Sequence, residues 1–326
     1  MEIQRIQVNL IKDVCHLLNT AIDEENLAYK HFTLTSFRKH FLDINVDGEI
    51  KYNYVAMEKG ECIGFINSHY QIGDKVGYIT FIVVEKNWRL QQVGTKLLNF
   101  MEQKLQNKHS NIIHMEISFF NPINLPWVIP RTPSYDHPNA HGVDVSTIAY
   151  LFFKNMRYRD VILQNTYYRQ VDNFEYSDID KIKLKELADR NLFITRYDKE
   201  VHKYFDELFE DLGNKKWKEE ILQAVHEDNI PMLVVIDGDK VCGFTGPLYV
   251  TPNGRGYFTG LGIHSNYRRY GAGRILFASL CKGLKDEGAV FMSLFTGENN
   301  HARSIYEAEG FKIVKSWQVM RKELKR

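Results

Sequence analysis

The feature that most constrains the fold of this chain is a repeat of its own sequence at a separation of 179 residues. The two copies agree without a gap at five places, which are Gly64 with Gly243, Gly77-Tyr78 with Gly256-Tyr257, Asn87 with Asn266, Arg89 with Arg268, and Gly94 with Gly273. Agreement at a single offset indicates a tandem duplication. We therefore predict one domain over residues 1–172 and a second over residues 173–326, separated at a polar segment that begins near Asp172.

Each copy is predicted to contain strands, then a turn that contains glycine, then a helix. In the second copy the turn reads RRYGAGR over residues 268–274, after a strand-like segment at 257–263 and before apolar residues at helical spacing, Leu276, Phe277, Leu280 and Leu284. Glycine lacks a Cβ atom and adopts positive φ readily, so this turn lets the backbone approach a ligand closely. The free amide N–H groups at the start of the following helix favour a phosphate group.

The composition limits the classes of function. The chain has 326 residues, of which 44% are hydrophobic, and a formal net charge of +1. These values exclude a disordered chain and give no general attraction to nucleic acid or to anionic membranes. The four cysteines are far apart and form no CxxC pair, which is typical of reduced thiols. With no signal-peptide core and no apolar run of membrane length, we expect a cytoplasmic protein with no nucleic-acid or membrane partner.

The turn at residues 268–274 can be compared with three kinds of phosphate-binding loop. A P-loop requires GxxxxGK[ST], which this turn does not contain. A dinucleotide-binding GxGxxG motif would need glycine at Leu276 and an acidic residue near Phe291. The remaining pattern, R/Q-x-x-G-x-G/A, is that of a loop that wraps the pyrophosphate of coenzyme A in other proteins, and it is present as Arg268-x-x-Gly271-x-Gly273. A purely structural turn between a strand and a helix is the alternative.

A second motif lies downstream of the turn. Residues 296–311 read TGENNHARSIYEAEGF, and they contain the pattern N-x-x-A-x-x-x-Y-x-x-x-G-F from Asn299 through Tyr306 to Phe311. With this motif the second copy resembles the GNAT superfamily of acyl-CoA-dependent N-acyltransferases, and the repeat extends the resemblance to nearly the whole chain. The resemblance implies two tandem α/β domains, each a mixed, mostly antiparallel sheet with flanking helices and a splayed central pair of strands.

The resemblance also implies how the second copy would bind acetyl-CoA. The pantetheine arm would pair with the end of the strand before the turn, and the turn amides would bind the pyrophosphate. The implied cofactor-binding residues are Leu261, Gly262, Ile263, Arg268, Arg269, Tyr270, Gly271, Ala272, Gly273, Arg274 and Asn299. A backbone N–H near Ile263 would polarise the thioester carbonyl. Asn299 would contact the cofactor arm or cap a helix.

Tyr306 is the implied catalytic residue. A phenol stays protonated at neutral pH and can give a proton to the coenzyme A thiolate when an amine attacks the thioester; aromatic packing is the alternative role. No general base is identified, because the strand before the turn has no glutamate, and His264 is interpreted as structural. The predicted function is N-acetylation of a small-molecule or peptide amine by acetyl-CoA. A non-catalytic acyl-CoA-binding or regulatory protein is the alternative.

The first copy departs from the family pattern at two positions. Gln92 stands where the turn has its first glycine, which costs roughly 1 to 2 kcal/mol if that position is left-handed. Phe153 aligns with Tyr306, although Tyr150 and Tyr158 are alternatives for the aligned position. Because phenylalanine has no proton to donate, we predict a degenerate first domain and catalysis in the second.

The first copy is also longer than the second. Gly94 precedes Phe153 by 59 residues, whereas Gly273 precedes Tyr306 by 33, which indicates an insertion near residues 121–146. Residues 121–144 contain five of the eight prolines, so we predict an ordered, extended loop that controls the choice of acceptor.

Four potential metal ligands lie in this insertion, Asp136, His137, His141 and Asp144. Pro138 and Gly142 interrupt any helix that would bring the two histidines onto one face, and no HExxH motif is present. We therefore interpret the four residues as loop or packing groups, and we expect no metal.

Overall fold

The computed structural model describes residues 1–118, 125–223, 225 and 230–324. It contains two compact units, of which the first comprises Met1–Asn165 with Lys315–Arg326 and the second comprises Thr166–Val314. The end of the chain is therefore part of the first unit. The predicted boundary after residue 172 separates the two copies of the repeat, and it stays a prediction.

Both copies contain β-strands and α-helices. The strands are β1 (Glu2–Arg5), β2 (Glu49–Glu58), β3 (Glu61–Gln71), β4 (Val76–Val84), β5 (His114–Ile117), β6 (Trp127–Val128), β7 (Asp136–His137), β8 (Val143–Asp144), β9 (Arg159–Gln170), β10 (Leu192–Arg196), β11 (Leu233–Asp237), β12 (Lys240–Gly246), β13 (Arg255–Gly256), β14 (Gly260–Ile263), β15 (Phe291–Gly297) and β16 (Lys312–Glu323). The α-helices are α1 (Ile11–Glu24), α2 (Leu34–Phe37), α3 (Val93–Lys108), α4 (Ile148–Asn155), α5 (Asp178–Ala188), α6 (Phe205–Leu212), α7 (Lys215–Leu222), α8 (Ala272–Asp286) and α9 (Arg303–Ala308).

The sheet of the first unit has the order β1-β2-β3-β4-β5, with β16 beside β5. Helices cover both faces, because alternate residues of β4 enter different cores. Ile82 packs against the cluster that contains α3 residues such as Leu97, whereas its neighbour Phe81 packs in the cluster that contains α1 residues such as Leu18. Burial on both faces explains why β4 is apolar along most of its length.

The central strands of the first unit diverge. β4 and β5 pair in parallel only where Val76–Tyr78 meets His114–Glu116, and β4 then continues to Val84 paired with β3. After β5 the chain leaves the sheet and returns as β8, which pairs with β16 at Trp317 and Gln318. The gap left between β4 and β16 is the splayed arrangement that the family resemblance implies.

The second unit diverges at the equivalent place. β13 pairs in parallel with β15, whereas β14 pairs with β12 in the antiparallel sheet β10-β11-β12-β14. The prediction of one strand over residues 257–263 is therefore wrong for residues 257–259, because the chain changes neighbours there. The predicted helix after the turn is confirmed as α8.

Residues 125–144 of the insertion are ordered and contain the short strands β6, β7 and β8. The segment is extended and lies against the chain between α1 and α2, since Val128 N donates to Ala28 O at 2.7 Å and Lys30 N donates to Pro126 O at 3.2 Å. This confirms the predicted extended loop for residues 125–144; residues 121–124 lie outside the described residues.

The four cysteines carry free thiols, as expected. Within the part of the chain that the structure describes, the search for a helix with the length and apolarity to cross a bilayer found none.

Candidate functional site

The turns before α3 and α8 have the same backbone geometry. Leu90 and Arg269 have φ values of 59° and 75°, and Gln92 and Gly271 have φ values of 65° and 80°. Gln92 and Gly271 are the N-cap residues of the two helices, and neither helix has a side-chain cap. Each turn therefore presents the free N–H groups of a helix of four turns, which is the arrangement that binds phosphate.

In each copy an arginine side chain forms a hydrogen bond between the turn and the strand before it. Arg89 Nε donates to the carbonyl of Val84 at 3.0 Å, and Arg268 Nε donates to the carbonyl of Ile263 at 2.9 Å. Val84 and Ile263, whose carbonyls accept these bonds, are the last residues of β4 and β14. The repeat found in the sequence is thus preserved in side-chain hydrogen bonds, and the Arg268 side chain is used to hold the turn in place.

The other predicted residues of the second turn differ in what their side chains do. Arg274 is directed away to Asp180 and Glu309, each at 3.0 Å, so its charge is already compensated. The Tyr270 ring lies 4.9 Å from the Arg190 guanidinium. Arg269 makes no ion pair with any described residue, which leaves it available for an anion. The predicted backbone contacts, from Leu261 to Ile263 and from Arg269 to Arg274, lie on β14, the turn and the first turn of α8.

Tyr306 lies on α9 and is 7% exposed. Its ring packs against Phe277 at 4.9 Å, and against Phe258 and Tyr167 at 6.0 Å each. Its hydroxyl makes no hydrogen bond with the described residues. Burial, with a smaller contribution from Tyr167, raises the pKa of Tyr306 to about 12. The phenol is therefore protonated at neutral pH and has a proton that no described group accepts.

The structure agrees with the alignment of Phe153 with Tyr306. A Cβ atom on Gly94 would lie 3.4 Å from Phe152, and one on Gly273 would lie 3.5 Å from Ile305. Phe152 and Ile305 immediately precede the two aligned residues. Phe153 is 4% exposed. The alternatives have other partners, because Tyr150 donates to Asp160 at 2.9 Å and Tyr158 donates to Glu102 at 3.0 Å.

Two further predicted positions can be located. Asn299 is exposed, and the side chain that stabilises the approach to α9 is Asn300, whose Oδ1 accepts from Ala302 N at 2.9 Å. The helix-cap alternative for Asn299 is therefore wrong, because the neighbouring residue makes that bond. His264 Nδ1 accepts from Asn266 N at 3.2 Å, a structural contact at the start of the turn, as expected.

The first unit contains a cavity that was not predicted from the sequence. It has a volume of about 880 Å³ and is lined by the diverging part of β4, the turn before α3, α4, the end of the insertion and two residues of β16, Lys315 and Trp317. Its wall is largely apolar and aromatic, with Tyr29, Phe81 and Phe152 among its residues. The sequence indicated such a space only through the family resemblance, which implies a splayed pair of strands.

A buried ion pair lies in the wall of this cavity. Asp144 Oδ1 accepts from the backbone N of Ser146 at 2.9 Å and from its hydroxyl at 2.7 Å, and Asp144 Oδ2 lies 2.5 Å from Lys315 Nζ. The side chains of Asp144 and Lys315 are 7% and 15% exposed. Burial and the nearby Asp144 raise the pKa of Tyr29, so its hydroxyl stays protonated beside the carboxylate.

The remaining potential ligands of the insertion have other roles. Asp136 pairs with Lys30 at 2.8 Å, and the rings of His137 and His141 contact each other at 5.3 Å. Among the described residues, no group of three or more His, Cys, Asp or Glu side chains is placed to hold a metal ion.

Comparison with known families gives a match at both copies. The Acetyltransferase (GNAT) family model matches residues 17–126 and 196–311, which together are more than half of the chain. The chain belongs to the GNAT family. It is therefore an acyltransferase with two GNAT regions, and the family to which it belongs uses acetyl-CoA or CoA. No curated protein matches this GNAT chain in sequence.

Solved structures share the fold over the whole GNAT chain. A GCN5-related N-acetyltransferase from Sphaerobacter thermophilus has a TM-score of 0.62 at 12% identity, covering 100% of this chain and 96% of its own. A tandem GNAT protein from the clavulanic acid biosynthesis pathway has a TM-score of 0.57 at 11% identity, with 100% and 99% covered. A glucosamine N-acetyltransferase region of a fungal β-N-acetylglucosaminidase has a TM-score of 0.66 at 12% identity, with 98% of this chain and 38% of that chain covered. These confirm the predicted tandem α/β fold.

Proposed function

We propose that this chain is an acetyl-CoA-dependent N-acetyltransferase in which an amine, in a small molecule or a peptide, attacks the thioester directly. The observation that carries this proposal is the geometry of the turn at residues 268–274. It joins the diverging strand β14 to the uncapped start of α8, with Arg269 and Gly271 both at positive φ. A diverged strand offers free backbone groups to an extended ligand, and the turn beside it offers N–H groups to a phosphate.

The second copy supplies the charge that a pyrophosphate needs. The backbone amides of residues 269–274 would bind the phosphate oxygens, and Arg269 would add a cation that no described carboxylate neutralises. The pantetheine arm would lie along Leu261, Gly262 and Ile263. By contrast, the turn of the first copy has one arginine, Arg89, and this pairs with Glu25. These differences support binding of acetyl-CoA in the second unit.

The proposed reaction needs one proton donor from the protein. The amine nitrogen forms a bond to the thioester carbon, the backbone N–H near Ile263 stabilises the oxyanion, and the carbon–sulfur bond then breaks. Tyr306 gives its proton to the departing sulfur, the protonated amide nitrogen releases its proton to water, and the Tyr306 phenolate regains a proton from water. The hydroxyl of Tyr306, which is carried by a packed ring and has no described partner, supports this role.

Replacement of Tyr306 by phenylalanine tests the proposal. The change keeps the packed ring, so we expect unchanged acetyl-CoA affinity and a turnover about a hundred- to ten-thousand-fold lower, because the lost proton acts only as charge develops on sulfur. Phe153→Leu is the matched control in the first unit and should retain nearly full turnover. Thiol release is measured with a panel of amines over a range of pH. Full activity of Tyr306→Phe together with an inactive Phe153→Leu would move catalysis to the first unit.

The cavity of the first unit favours a second candidate function, non-catalytic binding of an acyl-CoA there. Gln92 has the left-handed geometry of Gly271, so the turn has the required backbone shape despite the substitution. A matched pair of variants, Gly94→Val and Gly273→Val, distinguishes the two units by calorimetry with coenzyme A. We expect Gly273→Val to weaken binding roughly tenfold or more. If the folded Gly94→Val variant is the one that loses binding, the first unit holds the coenzyme.

A further inference from the structure

The cavity of the first unit has a specific electrostatic character. Its volume of about 880 Å³ is within the range of small-molecule sites. Four charged side chains line it, Glu25, Arg89, Asp144 and Lys315, and they form two pairs of opposite sign. The cavity is therefore polar at defined points, and the charges of the side chains that line it sum to zero.

The two pairs are not equally able to bind a ligand. The Arg89 guanidinium is held by Glu25 and by the carbonyl of Val84. The Lys315 ammonium group has three N–H donors and makes two contacts, one with Asp144 at 2.5 Å and a weaker one with Ser146 at 3.4 Å. At least one donor of its ammonium group is therefore unused by the described residues. On the carboxylate, Ser146 makes both of its hydrogen bonds to Oδ1, and Oδ2, which Lys315 contacts, can accept one more.

We propose that the first-unit cavity binds an α-amino acid with an apolar side chain, through its ammonium group on Asp144 and its carboxylate on Lys315. A molecule with both charges on one carbon satisfies the adjacent carboxylate and ammonium together and leaves no buried charge unpaired. Tyr29, Phe81 and Trp317 form an aromatic wall for the side chain, with ring centroids of Tyr29 5.5 Å from Phe81 and 6.2 Å from Trp317. The position of Asp144 is fixed by the pairing of β8 with β16.

Ligands with a single charge fit this arrangement less well. A simple amine on Asp144 would add a second cation beside Lys315 with no second anion, and a simple carboxylate on Lys315 would add a second anion beside Asp144 with no second cation. A phosphate would place still more negative charge against that carboxylate. This binding of an amino acid does not depend on the proposed function, whose catalytic residue lies in the second unit.

The test is calorimetric binding to the full chain in the absence of any acyl donor. Three probes share one apolar group: L-phenylalanine, phenethylamine, which lacks the carboxylate, and 3-phenylpropanoate, which lacks the ammonium. L-Leucine and L-methionine extend the panel to other apolar side chains. We expect L-phenylalanine or another of these amino acids to bind, and each singly charged analogue to bind roughly tenfold weaker or worse. Equal binding of phenethylamine and phenylalanine, or binding of none of the amino acids, overturns the proposal.

A substitution localises the binding. Lys315→Met keeps the length of the side chain and removes its charge, so the advantage of phenylalanine over phenethylamine should disappear. Lys154→Met, which removes an exposed lysine paired with Asp160, is the matched control and should bind as the wild type does. If Lys315→Met does not fold, Ser146→Ala removes only the hydroxyl that orients the carboxylate and should weaken amino-acid binding several-fold. Wild-type binding by the folded Lys315→Met variant contradicts the proposed site.

Because no acyl donor is present, this experiment and the Tyr306→Phe experiment fail independently. Binding of phenylalanine by a protein that acetylates no amine would support the site and refute the proposed function. Acetylation of amines with no binding of amino acids would support the proposed function and refute the site.

Discussion

Gln92 is a residue whose backbone conformation is unfavourable for its side chain. It has a φ of 65° at the N-cap of α3, where a residue with a Cβ atom costs roughly 1 to 2 kcal/mol. We predict that Gln92→Gly raises the free energy of unfolding by about 1 kcal/mol, because glycine adopts this geometry readily but loses more chain entropy. Urea denaturation measures the change. The control, Lys96→Gly inside α3, should instead lower stability by about 1 kcal/mol.

Gly142 is required for a different reason, the close approach of another strand. A Cβ atom at Gly142 would lie 2.4 Å from the carbonyl oxygen of Gln318, which is backbone and cannot rotate away. We predict that Gly142→Ala lowers the free energy of unfolding by about 1 to 3 kcal/mol or more. Gly94→Ala is the comparison, since a Cβ there would lie at an ordinary 3.4 Å from Phe152. Equal melting temperatures for the two variants would show that the strands separate easily at Gly142.

At the scale of elements, the insertion is the part of the first unit that the second copy lacks. Its β6 strand is hydrogen-bonded to the segment after α1 through Val128 and Ala28, and its end places Asp144 in the cavity wall. It therefore connects two parts of the wall of one cavity, which supports the predicted role in acceptor choice.

Shortening this insertion should change the use of the acceptor more than that of the donor. Replacing residues 125–140 by a short glycine-serine linker should raise the acceptor KM by roughly tenfold or more while acetyl-CoA affinity stays within about twofold. Removal of residues 130–134 alone, the connection between β6 and β7, is the control and should leave both nearly unchanged. A shortened protein that is folded and has an unaltered acceptor KM would contradict the role in recognition.

At the scale of the whole molecule, the C-terminal strand completes the first unit. β16 pairs with β5 from Met320 to Glu323, and Lys322 pairs with the buried Glu102 at 2.6 Å. A fragment of residues 1–172 lacks this strand and would expose the edge of β5 and leave Glu102 without that charge partner. We predict that it aggregates or unfolds without a cooperative transition, as judged by gel filtration and near-ultraviolet circular dichroism. Residues 1–165 joined through a linker to 312–326 should restore cooperative unfolding; a stable, monomeric 1–172 fragment would contradict this prediction.

Two buried histidines make stability depend on pH. Burial lowers the pKa of His69 and of His141 from 6.5 to about 3. Below about pH 6.5 the unfolded chain binds a proton on each histidine, whereas the folded chain does so only near pH 3. The stability that the two neutral histidines contribute to the folded chain is therefore complete above pH 6.5 and is lost as the pH falls. Near pH 5 unfolding should therefore take up about two protons at these sites. Each of these protons lowers the free energy of unfolding by about 1.4 kcal/mol for every unit by which the pH falls.

Variants assign this proton uptake. His69→Gln and His141→Gln should each reduce the number of protons bound on unfolding at pH 5 by about one, measured from the slope of the unfolding free energy against pH. His301→Gln is the control, because this side chain is exposed. An unchanged slope in both buried variants would show that these histidines already accept protons in the folded state.

Local patterns in the sequence were sufficient for much of the fold. The repeat, the turn at Gly271 and Gly273, the helix that follows it and the position of Tyr306 each depend on residues close together in the chain, where side-chain type and spacing act directly on the backbone. The break between β13 and β14 was not predicted, because which neighbour a strand selects depends on hydrogen bonds to residues far away in sequence.

The amino-acid sequence by itself thus determined the duplicated family fold and the geometry of its turns, since even Gln92 adopts the left-handed conformation seen at Gly271. Only the tertiary structure decided that the last strand belongs with the first unit and that Lys315 meets Asp144 beside the cavity. A strand pattern specifies which faces are buried but not which edge it will pair with. A charged residue likewise reveals no partner until the chain brings distant segments together, and this is why the ion pair of the cavity could not be predicted from the sequence.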